Sequence, residues 1–448
     1  MAGDDVAGFR ASGLAWRAEP SSAEIVRREV AERLDALAEV PGASLIKRNM
    51  VRAVWRVPLS DGRRVIVKRF RVAGVRDWLK YSVRDSRALT EWNVGRALDA
   101  AGIATAVPLA YGERHAGGVL RDAALVTREI PDALHLNAYV AAHHPRPGPA
   151  RTAFYDDLAR LVRRMHDAGF VHNDFHGGNL LVNGAPDAPH LHVIDLHSVS
   201  ITARPSEGAR WFDLAKLLHS MLTCSTPEER RRLCETYETT GGPSGTRVAR
   251  LLASGRFEQE VEPELEGMEL RRVRSRTDRS LGKSSKFDVT VCGGHRVHHL
   301  RTIDASAVVA LLGPHARDLA ARGANVLKDG SRSAITRQRL DGARTVVVKE
   351  YRGCGLLDCA KNTLRPPRAV AAWVAGNGLL VRGFDAAEPL ALVTRGRGPT
   401  LRGAWLVMED LGDATRSDLV VLARWAGDLD RAARAEKLAL VRAAADLL

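Results

Sequence analysis

The period of the apolar positions changes along the chain. Val65-Ile66-Val67 is a β-branched run behind the polar turn Ser60-Asp61-Gly62, and it predicts a strand ending on Lys68. From Arg87 to Ala101 the apolar residues recur near i, i+3, i+4 and i+7, which is one face of a helix, and Gly102 supplies the stop. Ala124–Thr127 reads as a short strand and Phe154–Ala168 as a helix closed by Gly169. Leu191–Ile194 reads as a strand leading into Asp195, and Trp211–Leu222 as a buried helix. Strands first and helices later predict a two-lobed α+β domain. From 225 to 300 the pattern is poorer. It holds charge-rich helical segments, Glu228–Arg232 and Leu265–Arg274, and polar turns such as Gly241-Gly242-Pro243.

The pattern then recurs. Val65-Ile66-Val67-Lys68-Arg69-Phe70 returns as Val346-Val347-Val348-Lys349-Glu350-Tyr351, an offset of 281 from Lys68 to Lys349. At that offset, without a gap, Lys47 meets Lys328, Arg71 meets Arg352, Gly74 meets Gly355, Asp77 meets Asp358 and Lys80 meets Lys361. Arg84 meets Arg365, Arg87 meets Arg368, Trp92 meets Trp373, Gly102 meets Gly383, and Pro108-Leu109-Ala110 meets Pro389-Leu390-Ala391. Chance does not sustain so many ungapped matches, so we expect two copies of one fold. The junction is expected near residue 285. The second strand Trp405–Met408 matches Ala124–Thr127, and Lys437–Leu448 resembles the helical stretch Asp157–Met165.

Chemistry concentrates in copy one. His172-Asn173-Asp174-Phe175-His176-Gly177-Gly178-Asn179 places an Asn five residues after an Asp, and Asp195 follows a predicted strand. Phosphoryl transfer needs positioned phosphates, a magnesium ion that neutralises their charge and an aimed acceptor hydroxyl. Lys68 is the candidate for the α- and β-phosphates, with Glu91 on the next helix as its partner; each alone is equally an ordinary surface residue. Asp174 is the candidate base, and Asn179 and Asp195 offer the hard oxygen atoms that suit magnesium. Gly177-Gly178 lets the loop turn back sharply. His172 is expected to brace the loop. His172 and His176 also stand at the i, i+4 spacing of a zinc helix. However, Asn173 replaces the Glu of that motif, and the two glycines argue against a helix. A glycine-rich phosphate loop is missing from Lys47–Arg56, so either basic side chains cover the phosphates there or the segment is a plain hairpin.

Size and charge frame these expectations. A chain of 448 residues is too long for one ordinary core. Its 45% hydrophobic and 27% charged residues describe a folded protein rather than a disordered one. The net charge of +14 favours anionic partners, or equally reflects arginines scattered along the whole chain. The five cysteines, at 224, 234, 292, 354 and 359, match no zinc spacing and read as free thiols of a reducing compartment. Met1–Asp5 lacks a signal-peptide pattern, and no apolar run approaches the roughly 20 residues of a membrane span. The expectation is a cytoplasmic protein, with peripheral contact at the inner membrane left open.

The stretch His172–Val182, followed by Val193-Ile194-Asp195-Leu196-His197, resembles the lipopolysaccharide core kinases, the heptose and Kdo kinases of Gram-negative bacteria. The resemblance covers roughly residues 45–220. It implies an α+β, bilobal protein-kinase-like fold over residues 1–285, with lobes of about 1–130 and 131–285. Residues 286–448 then form a second, incomplete kinase-like N-lobe, degenerate or truncated. Lys68, Asp174, Asn179 and Asp195 match the family's ATP lysine, catalytic Asp and metal ligands, and Glu91 the lysine's partner. Asp213, in Arg210-Trp211-Phe212-Asp213, would hold the loop backbone, and Glu129-Ile130 would receive adenine through backbone groups. ATP and Mg2+ are the implied cofactors and an acidic glycolipid or other hydroxyl compound the acceptor, with no nucleic acid expected. The Asp174 loop is also similar to that of aminoglycoside and choline kinases, so a protein or a small molecule remains an alternative acceptor. A catalytically silent scaffold is the remaining alternative. In copy two, Lys349 persists but Ala372 stands where Glu91 does, so that copy is expected to be inactive.

Overall fold

The computed structural model describes residues 6–48, 51–72, 81, 84–240, 246–352, 366–396 and 401–412. Several positions named above lie outside these: 1–5, Asn49 and Met50, Gly74, Asp77, Lys80, 241–243, Cys354, Gly355, Asp358, Cys359, Lys361, Arg365 and 437–448. The chain divides into two compact units, Met1–Glu269 and Leu270–Leu448.

Unit 1 begins with a seven-stranded antiparallel sheet. Its strands are β1 (Ala7–Ala11), β2 (Leu14–Ala18), β3 (Ser44–Arg48), β4 (Arg52–Pro58), β5 (Arg64–Arg71), β6 (Pro108–Ala116) and β7 (Val119–Arg128). Their spatial order is β1-β2-β6-β7-β5-β4-β3. Alternation along β5 sends side chains to two faces. Val65 and Val67 join the core under helix α1 (Pro20–Val26), with Val26, Val30 and Leu34. Phe70 faces the other way and packs with Ala88 and Trp92 of helix α2 (Arg87–Ala100). Lys68 shares the parity of Phe70 and therefore lies on the α2 side. The lysine sits inside the strand rather than at its end, paired across to Val54 on β4 and Leu125 on β7. The β-branched run marked only the strand's apolar half, and the basic residues that follow it are still in the ladder.

Helix α2 starts where Ser86 Oγ accepts a hydrogen bond from the Leu89 amide at 3.0 Å and stops before Gly102, whose φ is +69°. The rest of unit 1 packs around α4 (Pro149–Asp167), whose Phe154, Leu158, Leu161, Val162 and Met165 are buried. Around it stand α3 (Leu136–His143), α5 (Glu207–Ser220), α6 (Pro227–Thr240), α7 (Arg247–Ala253) and the first turns of α8 (Phe257–Asp278). Five short strands, β8 (Leu134–His135), β9 (Phe170–Val171), β10 (Leu180–Ala185), β11 (Ala188–Val193) and β12 (Ser200–Ile201), carry the loops between them. Helix α5 is not buried throughout, since Phe212 is exposed.

Unit 2 repeats the sheet. It contains β13 (Phe287–Cys292), β14 (His295–Leu300), β15 (Val326–Asp329), β16 (Ser333–Leu340), β17 (Arg344–Tyr351), β18 (Pro389–Arg395) and β19 (Gly403–Glu409). Their order, β13-β14-β18-β19-β17-β16-β15, is that of unit 1 strand for strand. Helices α9 (Ala305–Ala310), α10 (Leu312–Ala321) and α11 (Arg368–Val381) accompany it. The 281-residue register holds in the fold, where α2 and α11 span Arg87–Ala100 and Arg368–Val381. One close contact recurs: Gly95 lies against the Pro108 ring, and Gly376 against Pro389. The region read as pattern-poor contains α6, α7, α8 and the β13–β14 hairpin. Cys224, Cys234 and Cys292 are free thiols. Among the described residues no helix is long and apolar enough to cross a membrane.

Candidate active site

All the residues singled out in copy one lie within unit 1. On β5, Lys68 Nζ is 2.6 Å from Glu91 Oε2, and Glu91 is nearly fully buried on α2. Lys68 Nζ also lies 3.9 Å from Asp195 Oδ1. Asp195 sits two residues after the end of β11 in the left-handed region (φ +61°), with its carboxylate near the lysine. His197 Nδ1 is 3.0 Å from Asp195 Oδ1 and Arg52 Nη1 3.2 Å from it. Burial pushes the Asp195 carboxyl up, but the His197 hydrogen bond and the charges of Lys68, His197 and Arg52 outweigh it and hold the group ionised, well below the usual carboxylate range. Glu91 Oε1 is buried without a hydrogen-bond partner, 4.0 Å from His197 Nδ1. Glu91, Asp195 and His197 thus converge closely enough to hold a cation.

The loop from His172 to Asn179 is fixed at many points. Asp213 of α5 accepts from the backbone amides of His172 at 2.6 Å and Asn173 at 2.8 Å. The His172 ring is buried and lies 3.1 Å from the Ile194 carbonyl oxygen through Nε2, and burial lowers its pKa. The side-chain Nδ2 of Asn179 donates to the Asp174 carbonyl oxygen at 2.9 Å, which leaves Asn179 Oδ1 as an acceptor. The two glycines are needed for space, not for φ. A Cβ on Gly177 would sit 2.6 Å from Asn137 Oδ1, and one on Gly178 would sit 2.9 Å from the His176 ring. The left-handed positions are Asn173 (φ +63°) and Asp195 instead. The zinc alternative does not fit. The segment is not an α-helix, and His176 Nδ1 accepts from the Gly178 amide while His172 serves Ile194.

Several residues of the site carried no signal in the sequence. Lys216 Nζ of α5 is 2.7 Å from Asp174 Oδ1 and 3.1 Å from the Asn173 carbonyl oxygen. Ser220 Oγ, one turn further, accepts from the Gly177 amide at 2.8 Å. Asp213, Lys216 and Ser220 stand at i, i+3 and i+7, so one stripe of α5 tracks the loop from His172 to Gly177. The spacing from Asp213 was the only clue. Arg52, within the glycine-poor segment, reaches Asp195 from the β3–β4 hairpin. Glu129 departs from expectation in part: its amide already donates to the Arg64 carbonyl oxygen at 3.0 Å, so only its carbonyl remains for a ligand. Its side chain pairs with Arg56 and Arg64. Ile130 follows it beyond the end of β7.

A lysine–glutamate pair facing an ionised Asp, beside an Asp–Asn loop braced from below, defines an ATP-dependent kinase of protein-kinase-like fold. Residues 43–237 match the lipopolysaccharide kinase (Kdo/WaaP) family. The chain is 32% identical over 190 residues to the lipopolysaccharide core heptose(I) kinase WaaP of Pseudomonas aeruginosa, covering 40% of this chain and 70% of that protein. The chain therefore belongs to the lipopolysaccharide kinase (Kdo/WaaP) family. A solved structure described as WaaP in complex with acyl carrier protein shares 25% identity at a TM-score of 0.42, covering 56% of this chain and 97% of the other. The Rio2 kinase–ADP/Mg2+–phosphoaspartate complex of Chaetomium thermophilum shares 18% at 0.31, covering 60% and 82%. The assignment rests on the sequence matches.

Proposed function

We propose that this kinase transfers the γ-phosphoryl group of ATP to a sugar hydroxyl of lipopolysaccharide core or a related glycolipid, with magnesium as the cofactor. The observation that carries the reading is the cluster of Lys68, Glu91 and Asp195. A lysine held by a buried glutamate at 2.6 Å and lying 3.9 Å from an ionised aspartate is arranged for phosphates bridged by a cation. Lys68 takes the α- and β-phosphates. The donor types suit magnesium: Asp195 and Asn179 Oδ1 are hard oxygens, and the Glu91 carboxylate, with Oε1 unpartnered, converges with Asp195. Bound magnesium supplies neutralisation of phosphate charge. Asp174 accepts the hydroxyl proton, His172 and Asp213 hold its loop, and the Glu129 carbonyl and the backbone of Ile130 meet the adenine.

Residues 1–285 act as a bilobal catalytic domain, with lobes of about 1–130 and 131–285. Residues 286–448 act as a second kinase-like N-lobe that is degenerate at the site, since Ala372 stands where Glu91 does. The protein works in the cytoplasm, peripherally at the inner membrane, where its charge of +14 favours an acidic glycolipid. The test is transfer of radiolabel from ATP to dephosphorylated lipopolysaccharide, with magnesium present or chelated. Label in the glycolipid only with magnesium is expected. Label that instead enters added protein or small-molecule acceptors overturns the acceptor assignment.

A further inference from the structure

We propose that Lys216 is a positioning residue for phosphoryl transfer, which holds the carboxylate of Asp174 in its working orientation from helix α5. The inference rests on Asp174 being the base, as set out above. Lys216 donates to Asp174 Oδ1 at 2.7 Å and to the Asn173 carbonyl oxygen at 3.1 Å, so two of its three N–H groups grip adjacent atoms of the loop. The ammonium also lies 4.9 Å from the centroid of the Phe212 ring, one turn back on α5, a cation–π contact that helps hold it in place. The remaining N–H points from a side chain that is 28% exposed, beside an Asp174 side chain that is 46% exposed.

The other carboxylate oxygen is left for the acceptor. His176 Nδ1 accepts from the Gly178 amide, so the neutral ring carries its proton on Nε2. That Nε2 stands 3.7 Å from Asp174 Oδ2, beyond a hydrogen bond. Oδ1 is therefore occupied and Oδ2 is open. A carboxylate pinned by one oxygen presents the other in a fixed direction, which is what a base needs to meet a hydroxyl in line. The charge of Lys216 also keeps Asp174 anionic: burial opposes ionisation, and the lysine's hydrogen bond and charge overcome it. Asp213 and Ser220 on the same stripe hold only backbone amides of the loop. Lys216 alone in that stripe grips a reacting side chain.

The test compares Lys216→Ala and Lys216→Arg with the parent in the full chain, in magnesium-dependent transfer from ATP to dephosphorylated lipopolysaccharide. Lys216→Ala is expected to lower kcat about 10²-fold while the KM for ATP moves less than about threefold. Lys216→Arg should recover at least about tenfold, since a guanidinium can make the same two bonds. In an Asp174→Ala background, Lys216→Ala should lower the residual rate no further, because the lysine acts through the carboxylate. Parent-level kcat in Lys216→Ala, or an undiminished additional loss in the Asp174→Ala background, overturns the proposal. If the parent labels no glycolipid, the acceptor reading fails separately. The same comparison is then made on magnesium-dependent ATP hydrolysis, where the same ratios are expected and equal rates again sink the role of Lys216.

Discussion

The two seven-stranded sheets share one strand order and one register, yet among the described residues only one carries a charged pair behind its central lysine. In unit 1 Lys68 meets Glu91; in unit 2 Lys349 meets no acid from α11, because Ala372 stands there. Lys349 lies instead over the Tyr351 ring, 5.1 Å from its centroid. Other charges were kept. Arg56 pairs with Glu129 at 2.5 Å, and at the corresponding positions Arg337 pairs with Asp410 at 2.7 Å. The glycine–proline contact was kept too. The arginine–acid pair and the glycine–proline contact therefore persist in both copies, whereas of the lysine–glutamate pair proposed to serve a nucleotide the lysine persists and the glutamate does not. Framework and site separate residue by residue.

The largest effect that can break this contrast is at the base. Asp174→Ala should lower transfer about 10³–10⁴-fold with ATP binding largely retained, measured by kcat and by nucleotide titration. Activity near the parent level would mean that the working loop lies elsewhere. Next, Glu91→Ala gives unit 1 the residue that unit 2 carries. The lysine loses its anchor, and kcat/KM is expected to fall about 10²-fold. A fall of less than about threefold would show that the missing acid is not what separates the copies.

The framework half of the contrast is sharpened at the shared glycines. A Cβ at Gly376 would lie 2.6 Å from the Pro389 ring, whereas one at Gly95 would lie 3.0 Å from Pro108. Gly376→Ala should cost about 1–3 kcal/mol by overpacking, read as faster amide exchange in β18 and α11. Gly95→Ala should cost less, since the ring there needs to give only a few tenths of an ångström. The reverse order would show that the two contacts are not equivalent.

Much of this frame was legible in the sequence, for physical reasons. The β-branched run of β5 and the 3.6-residue period of α2 both announce themselves, and the constant offset shows that they recur. The first hairpin of each sheet was not legible. Ala-Gly-Phe-Arg-Ala in β1 offers one strongly β-prone residue, and His-Arg-Val-His-His-Leu in β14 hides its alternation behind histidines. At the site, motif residues could be named because their spacing is tied to their work. Lys216, Ser220 and Arg52 could not, because a basic or hydroxyl residue on an amphipathic element reads as a solvated face. Only the fold that brings α5 under the loop, and β4 over Asp195, gives them a role.

The smallest expected effect bears on the orphaned lysine itself. Burial lowers the pKa of Lys349, with Lys328 and Arg368 adding repulsion, so the folded unit disfavours its charged form. Below the lowered folded value the ammonium destabilises unit 2. As pH rises from that value toward the ordinary 10.5, the unfolded chain binds more protons than the folded one, and stability rises. Lys349→Met removes that dependence and keeps the stem. Its effect at pH 7 should stay within about 1 kcal/mol, because the lost contact with Tyr351 offsets the relieved repulsion. The rise in thermal stability on alkaline titration should be smaller in the variant than in the parent. In unit 1 the corresponding Lys68→Met strands a buried Glu91 and should destabilise by about 3–5 kcal/mol. Equal costs at the two positions would show that unit 2 supplies a partner to Lys349 after all, and the separation of framework from site would then fail at its centre.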